Sequence, residues 1–420
     1  DPTTGQVTAT SLGGVTDERQ FDDRGLLTNY VASAKGTSIW SLTLSYDLIG
    51  RLTNKVESIG GSATTFGYTY DVAGRLAQAS RNGAVSATYT YDLNGNRLTR
   101  NSDSATYDSQ DRLQTYAGGT FSWSPNGNLQ SVVSGGQTTT YSYDVRGALT
   151  GVALPGKPAI SYLIDAAGRR IGKKLGAALQ RGWLWDETLR DEDVPTAELD
   201  GNSAVTLRFV WASGANTPSY FDAGTNTYRV LSDERGSVRL VVSVADGSIA
   251  QRIDYDEFGQ VLSDSAPGFQ PFGFAGGLYD SDTGLVRLGA RDYNAAIGRW
   301  TDRDPSAFDS GTFNLYAYCD NDPLNRVDID GTSFVNNWVG DWADEYYAIL
   351  NAGQDCFALR ALVARLKKRE NDIQGGDCKQ NNENGYQQIH EALDRAESLA
   401  LEKCTWAAVQ IYKKGLGRVK

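Results

Sequence analysis

The sequence predicts a mostly β protein. Its body is a spiralling antiparallel sheet of repeated β-hairpins that forms a partial shell, capped by a compact segment ending at Gly331. A small α-helical C-terminal domain follows. Three observations carry this expectation. A short signature, Tyr-Asp-x-x-Gly-Arg-Leu, returns many times in the first half of the chain. Alternating runs of aromatic and β-branched residues lead into its copies, which is the period of a strand. Past Gly331 the apolar residues change to helical spacing.

The repeats come first. Tyr46-Asp47-Leu48-Ile49-Gly50-Arg51-Leu52 returns as Tyr70-Asp71-Val72-Ala73-Gly74-Arg75-Leu76 and as Tyr91-Asp92-Leu93-Asn94-Gly95-Asn96-Arg97-Leu98. Phe21 to Leu27 is an earlier copy, and Tyr107 to Leu113 and Tyr143 to Leu149 are later ones. Trp123 to Leu129 and Ile164 to Ile171 are degenerate copies. The spacing drifts between roughly sixteen and twenty-five residues, which makes a tolerant array. In each unit a run such as Thr65-Phe66-Gly67-Tyr68-Thr69-Tyr70 is the strand. Asp then accepts backbone hydrogen bonds, Gly supplies the positive φ of the turn, and Arg-Leu starts the next strand. The aromatic and the Leu face the same side. A lone hairpin is barely stable, so each stacks on the next and the sheet grows by neighbour contacts. On this reading Tyr, Asp, Gly and Arg are packing, turn and pairing residues; carbohydrate binding along the tyrosine rows is the alternative.

From about residue 176 the pattern loosens. Trp183-Leu184-Trp185-Asp186 and Phe209-Val210-Trp211-Ala212 read as further strands, with the acidic stretch Asp186 to Asp193 a solvated loop between them. Tyr228 to Val242 reads as strand, turn at Asp233-Glu234-Arg235-Gly236, and strand. Ile249 to Val261 adds Asp254-Tyr255-Asp256-Glu257-Phe258-Gly259. We divide the chain into an array over 1–225, a core over 226–331 and a helical domain over 332–420.

Within the core, Gly277-Leu278-Tyr279-Asp280, Thr283-Gly284-Leu285 and Ala290-Arg291-Asp292-Tyr293-Asn294 follow at close intervals. Gly298-Arg299-Trp300, Arg303-Asp304-Pro305, Asn314-Leu315-Tyr316 and Asn321-Asp322-Pro323 come next. This ordered set resembles the core domain associated with RHS/YD-repeat proteins, the family of toxin-complex C components and teneurin-like shells. The resemblance implies that the sheet winds into a hollow shell and that the core folds inward as a plug. It also implies a site. Relatives that deliver toxins cut themselves after a terminal Asp-Pro-x-Gly-Leu with an aspartyl-protease-like pair. Here the pair maps to Asp304 and Asp328, with Arg303 placed to steady the second charge. Cleavage maps between Thr332 and Ser333. Two carboxylates held close share a proton and so supply acid and base together. The sequence departs from the family at Ile329 and Thr332, which stand where the family has Pro and Leu. An uncut chain is therefore the expectation, with Asp304 and Asp328 in structural roles.

The resemblance implies a secreted or cell-surface bacterial structural or interaction protein, whose β-shell carries or encloses its C-terminal domain. The alternative is a polymorphic toxin of intercellular competition, whose effector is released by autoproteolysis near residue 332. Partners follow accordingly: the chain's own N-terminal shell or a longer precursor, and an immunity protein or a cell-surface partner.

Composition narrows this further. Net charge is -11, which opposes a phosphate-binding surface, so no nucleic acid is expected. No apolar run is long enough to span a membrane. The chain opens at Asp1 without Met and reads as the C-terminal part of something longer. Its single His390 precludes chemistry that needs paired histidines, and we expect neither metal nor cofactor. Asp280 to Gly284 and Asp328 to Gly331 lack the downstream Glu of a calcium loop and read as hairpin turns.

In the tail, Cys356, Leu359, Leu362, Val363 and Leu366, then Tyr386 through Ile411, mark a helical hairpin. A helix over 356–370 is about 20 Å long, and a disulfide needs Cα atoms within roughly 7 Å. The start of one antiparallel helix meets the later part of the other, so the expected disulfide is Cys356–Cys404. Cys378 stays near the turn, and Cys319 is expected as a buried thiol.

Overall fold

In the computed structural model the chain divides into two compact units, Asp1–Asn337 and Trp338–Lys420. The structure describes residues 6–186, 194–211, 216–307 and 312–336, all in the first unit. The expected helical domain, apart from 332–336, lies outside the described residues. So do the Cys356–Cys404 pair and most of the acidic run before Val194.

From Ala9–Leu12 to Val261–Asp264, 25 strands form one antiparallel sheet. Each strand pairs with the next in the chain. Among the described residues the first and last strands have one neighbour each, so the sheet is open. The division expected at 225 falls between two paired strands, Tyr220–Ala223 and Asn226–Ser232, and the sheet continues to Asp264.

The repeat explains this regularity. The strand Thr37–Tyr46 ends in a bulge that sets Tyr46 opposite Leu52, and the same offset pairs Tyr70 with Leu76 and Tyr143 with Leu149. Asp47 Oδ1 accepts the N–H of Ile49 at 3.1 Å and of Arg51 at 2.9 Å, closing the turn. Gly50 sits at φ +83°, where a side chain would be strained. Arg51 returns to Asp47 at 2.7 Å and lies over the Tyr70 ring, 4.6 Å from its centroid. Arg75 also donates to the carbonyl of Asp92 at 2.7 Å, tying one turn to the next.

A second ladder runs beside the backbone one, and nothing in the sequence reading anticipated it. In five units the aromatic donates to the carbonyl that follows the previous turn. Tyr46 reaches Leu27 at 2.8 Å, Tyr70 reaches Leu52 at 2.6 Å, and Tyr91 reaches Leu76 at 2.7 Å. Trp123 does the same to Leu113 at 2.7 Å and Trp185 to Arg170 at 3.0 Å through Nε1. Each such bond is worth about 1 kcal/mol net, and together they hold the stacking register.

The sheet curls until its early and late strands meet. Glu57 pairs with Arg239 at 2.7 Å, Lys55 with Glu234 at 3.3 Å, Asp17 with Arg229 at 2.9 Å and Arg100 with Asp256 at 2.8 Å. Trp40, Leu42, Leu52 and Leu76 share one apolar cluster with Leu231, Leu240 and Phe258.

The segment after Asp264 closes this unit. It carries a four-stranded sheet, Leu278–Asp280, Leu285–Leu288, Arg291–Asn294 and Arg299–Trp300, and a short pairing of Arg326–Val327 with Val335–Asn336. It docks along the turns of the array. Asn321 donates to the carbonyl of Gly95 at 2.8 Å, Arg299 to Asp111 at 2.6 Å, Tyr316 to Gly127 at 3.1 Å and Arg287 to Gly168 at 3.0 Å. All four acceptors occupy the glycine position of a repeat turn. At Leu129 the segment enters the ladder itself: the Thr301 carbonyl accepts both Leu129 N–H at 2.8 Å and the Tyr143 hydroxyl at 3.3 Å.

Two repeats are one residue longer than the others as quoted from the sequence. These copies end in Leu98 and Ile171, but the register pairs Tyr91 with Arg97 and Ile164 with Arg170. Arginine thus fills the leucine position twice, and both side chains run inward. Arg97 reaches the carbonyl of Ile297 at 2.7 Å, and Arg170 reaches Asp292 at 2.8 Å. Cys319 is a buried free thiol, as expected.

Candidate active site

Three stretches of the closing segment converge on one guanidinium. Arg291 opens the strand Arg291–Asn294, Asp304 follows Arg299–Trp300, and Asp328 follows Arg326–Val327. Arg291 lies over the Trp300 ring, 4.0 Å from the centroid, and donates to the carbonyls of Leu315 at 3.2 Å and of Gly331. Its Nη2 meets Asp304 Oδ2 at 3.0 Å and Asp328 Oδ2 at 3.1 Å. The two aspartates named from the sequence are therefore brought together, on a shared nitrogen. The cation that holds them is Arg291 and not Arg303. Asp302 and Asp304 are buried, while Arg303 between them is exposed.

The segment assigned to cleavage lies beside this pair. Thr332 N–H donates to Asp328 Oδ1 at 3.1 Å and to Asp330 Oδ1 at 2.8 Å. Ser333 N–H donates to Asp330 Oδ1 at 3.0 Å. The Thr332 carbonyl accepts from Ser306 Oγ at 3.1 Å, and Ser306 Oγ lies 2.5 Å from Asp304 Oδ1. Ser306 carried no special signal in the sequence, and Asp330 stood there only as part of the turn Asp328 to Gly331. Only folding brings Ser306 to Thr332.

Burial pushes the Asp328 carboxyl up to about 7; Arg291 opposes this, while Asp330 and Asp304 add to it. Asp330 is also raised by burial, but the N–H groups of Thr332 and Ser333 outweigh that and hold it below its ordinary value. Asp302 was not singled out in the sequence. It is fully buried with Thr301 Oγ1 at 3.4 Å, and burial lifts it to about 8. Asp302, Asp304 and Asp330 line a cavity of about 880 Å³ shared with Trp185, Trp211 and Phe272. Nearby, Asp292 is clamped between Arg170 at 2.8 Å and Arg287 at 3.0 Å.

These shifts fix a pH dependence. Asp302 at about 8, Asp328 at about 7 and Asp322 at about 6 all stand above the ordinary 3.8, each chiefly through burial. Between that value and 8 the native state binds more protons than the unfolded chain, so stability falls as pH rises. Carboxylates held low, such as Asp165 and Asp280, lose their contribution only below 3.8, outside this window. Urea unfolding of the first unit should thus show a lower midpoint at pH 8 than at pH 5, and Asp302→Asn should flatten the difference. A midpoint that rises toward pH 8 would contradict the assignment.

The family model for the teneurin YD-shell matches residues 2–324. Teneurin-3 of Mus musculus is 28% identical over 351 residues, which is 80% of this chain and 13% of that protein. Teneurin-1 of Gallus gallus is 30% identical over 338 residues, 74% of this chain and 12% of its own. The tRNA3(Ser)-specific nuclease WapA of Bacillus spizizenii is 27% identical over 300 residues, 68% of this chain and 12% of its own. Among solved structures, TcdB2-TccC3-TEV aligns over 76% of this chain and 20% of its own, with 17% identity and a TM-score of 0.43. The chain spans about one eighth of the length of these curated relatives. From the first repeat through Leu324 of the closing segment the chain belongs to the teneurin YD-shell family and is an RHS/YD-repeat shell protein.

Proposed function

We propose that this chain is a secreted or surface scaffold, a wall of YD hairpins that carries the C-terminal unit Trp338–Lys420. The observation that supports it is where the side chains of the repeat residues go. Tyr70 and Arg75 reach neighbouring units, Asp71 closes its own turn, and the closing segment binds the glycine-position carbonyls of the turns. These groups are occupied in building the wall, not offered to a ligand.

A second reading is favoured by one specific arrangement. Asp304 and Asp328 share Arg291, the Thr332 carbonyl meets Ser306, and the Thr332 N–H on its other side meets Asp328. We read this as an aspartyl autoproteolytic site that cuts between Thr332 and Ser333 and frees the C-terminal unit as an effector. An immunity protein is then the expected partner; for the scaffold reading it is a cell-surface protein. A single blot tests both readings. Antibodies to residues 6–336 and to the C-terminal unit are applied to medium, surface and cytosolic fractions of the producing cells. The scaffold reading expects the shell outside the cytosol, and a purely cytosolic shell would end it. The cutting reading expects a separate C-terminal band beginning at Ser333 that Asp304→Asn abolishes; one intact band throughout would end that reading.

A further inference from the structure

A ring of contacts runs from the Thr332 carbonyl back to the Thr332 N–H. The Thr332 carbonyl oxygen lies 3.1 Å from Ser306 Oγ, and Ser306 Oγ lies 2.5 Å from Asp304 Oδ1. The Ser306 N–H also binds Asp304 Oδ1, at 2.8 Å, which fixes the residue from two atoms. Asp304 Oδ2 holds Arg291 at 3.0 Å, Arg291 holds Asp328 at 3.1 Å, and Asp328 Oδ1 accepts the Thr332 N–H at 3.1 Å. The loop returns to its starting residue, and Ser306 is its contact with the oxygen of the bond assigned to cleavage.

The geometry points to Ser306 as the catalytic donor that polarises the Thr332 carbonyl during hydrolysis of the Thr332–Ser333 bond; this rests on the cutting reading above. The step balances with water as the sole co-reactant. Water oxygen adds to the Thr332 carbonyl carbon, and its proton passes to Asp304. The carbonyl π electrons move onto the oxygen. A hydroxyl has a single proton to give. While Asp304 is ionised, that of Ser306 is drawn to the carboxylate. Once Asp304 has taken water's proton, the new carboxyl donates to Ser306 Oγ and releases the serine proton toward the Thr332 oxygen. The donor thus becomes available as negative charge develops, which is where stabilisation accelerates a reaction. Collapse breaks the bond to the Ser333 nitrogen, which takes a proton from the carboxyl pair. The products are a carboxyl terminus at Thr332 and an amino terminus at Ser333.

The test follows release of the fragment beginning at Ser333 from the purified full chain, by intact mass over time. Ser306→Ala should slow release about 100-fold, the typical effect of losing one oxyanion donor. Ser306→Thr keeps the hydroxyl and should restore most of the rate. Thermal unfolding of both variants reports whether the fold persists. Equal release from Ser306→Ala and the unaltered chain would overturn the role of Ser306 and leave the cutting reading standing. Slow release from Ser306→Thr as well as Ser306→Ala would also overturn it, since loss would then track packing and not the hydroxyl. No release from the unaltered chain would overturn the cutting reading and this inference with it.

Discussion

Arg291→Met is expected to lower the unfolding free energy of the first unit by about 3–5 kcal/mol at pH 7, the usual result of removing one partner from a buried ion pair. The side chains of Arg291, Asp304 and Asp328 are 3%, 5% and 4% exposed, so solvent cannot replace the lost cation. Methionine fills most of the volume, which keeps a cavity from explaining the loss. The carbonyls of Leu315 and Gly331 also lose their donor, and the Trp300 ring loses its cation. The variant has one escape, protonation. Asp328 already titrates near 7, so acidification should recover stability in Arg291→Met more steeply than in the unaltered chain. Arg291→Lys should fall between, since an ammonium restores charge but not the planar fork that serves two carboxylates and two carbonyls. Urea unfolding at pH 5 and 7 checks all three. A loss under about 1 kcal/mol at pH 7 would mean that the guanidinium does not hold this site together.

The parts of this architecture that were legible in the sequence share one property: they repeat locally. Asp47 to Leu52 contains the turn, the bulge and the start of the next strand within one short window, so a copy announces itself wherever it occurs. Asp304 and Asp328 were legible for a different reason, through the ordered anchors around them. What stayed hidden depends on register or on distance. Arg97 and Arg170 were displaced by one position because a leucine or isoleucine follows each and satisfied the expected pattern. The sharper signal was the turn itself: counting from Asp92 and Asp165, arginine stands where Leu52 stands relative to Asp47. A one-residue slip reverses the face of a strand, so the register decides that Arg97 and Arg170 are buried. Arg291 and Ser306 lie near their partners only after the closing segment has folded. The carbonyl targets at Gly95, Gly127 and Gly168 are backbone groups with no side-chain signature at all.

The second large effect concerns how the closing segment is held. Asp292 is completely buried, with Arg170 on one side and Arg287 on the other. Arg170 comes from the array and lies 3.7 Å from the Tyr162 ring centroid, whereas Arg287 and Asp292 belong to the closing segment. Asp292→Ala should leave two buried guanidiniums facing each other without a counter-ion, again a loss of about 3–5 kcal/mol. The location of the damage discriminates more than its size. Arg170, Lys173 and Tyr162 on the array reach Asp292 and Asp280 in the closing segment, so the loss should open that junction first. Hydrogen exchange should rise over the strands Leu278–Asp280, Leu285–Leu288 and Arg291–Asn294, while Thr37–Tyr46 and Leu52–Ile59, far along the array, keep their protection. Replacing the whole cluster, with Arg170→Met and Arg287→Met added to Asp292→Leu, should recover most of the loss, because a matched apolar set avoids the desolvation of three charges. If exchange rose equally in the distant strands, the closing segment and the array would be one cooperative unit. If the triple variant were as weak as Asp292→Ala, the cluster's worth would lie in its charges, and the arginines in the leucine positions would be stabilising the junction in their own right.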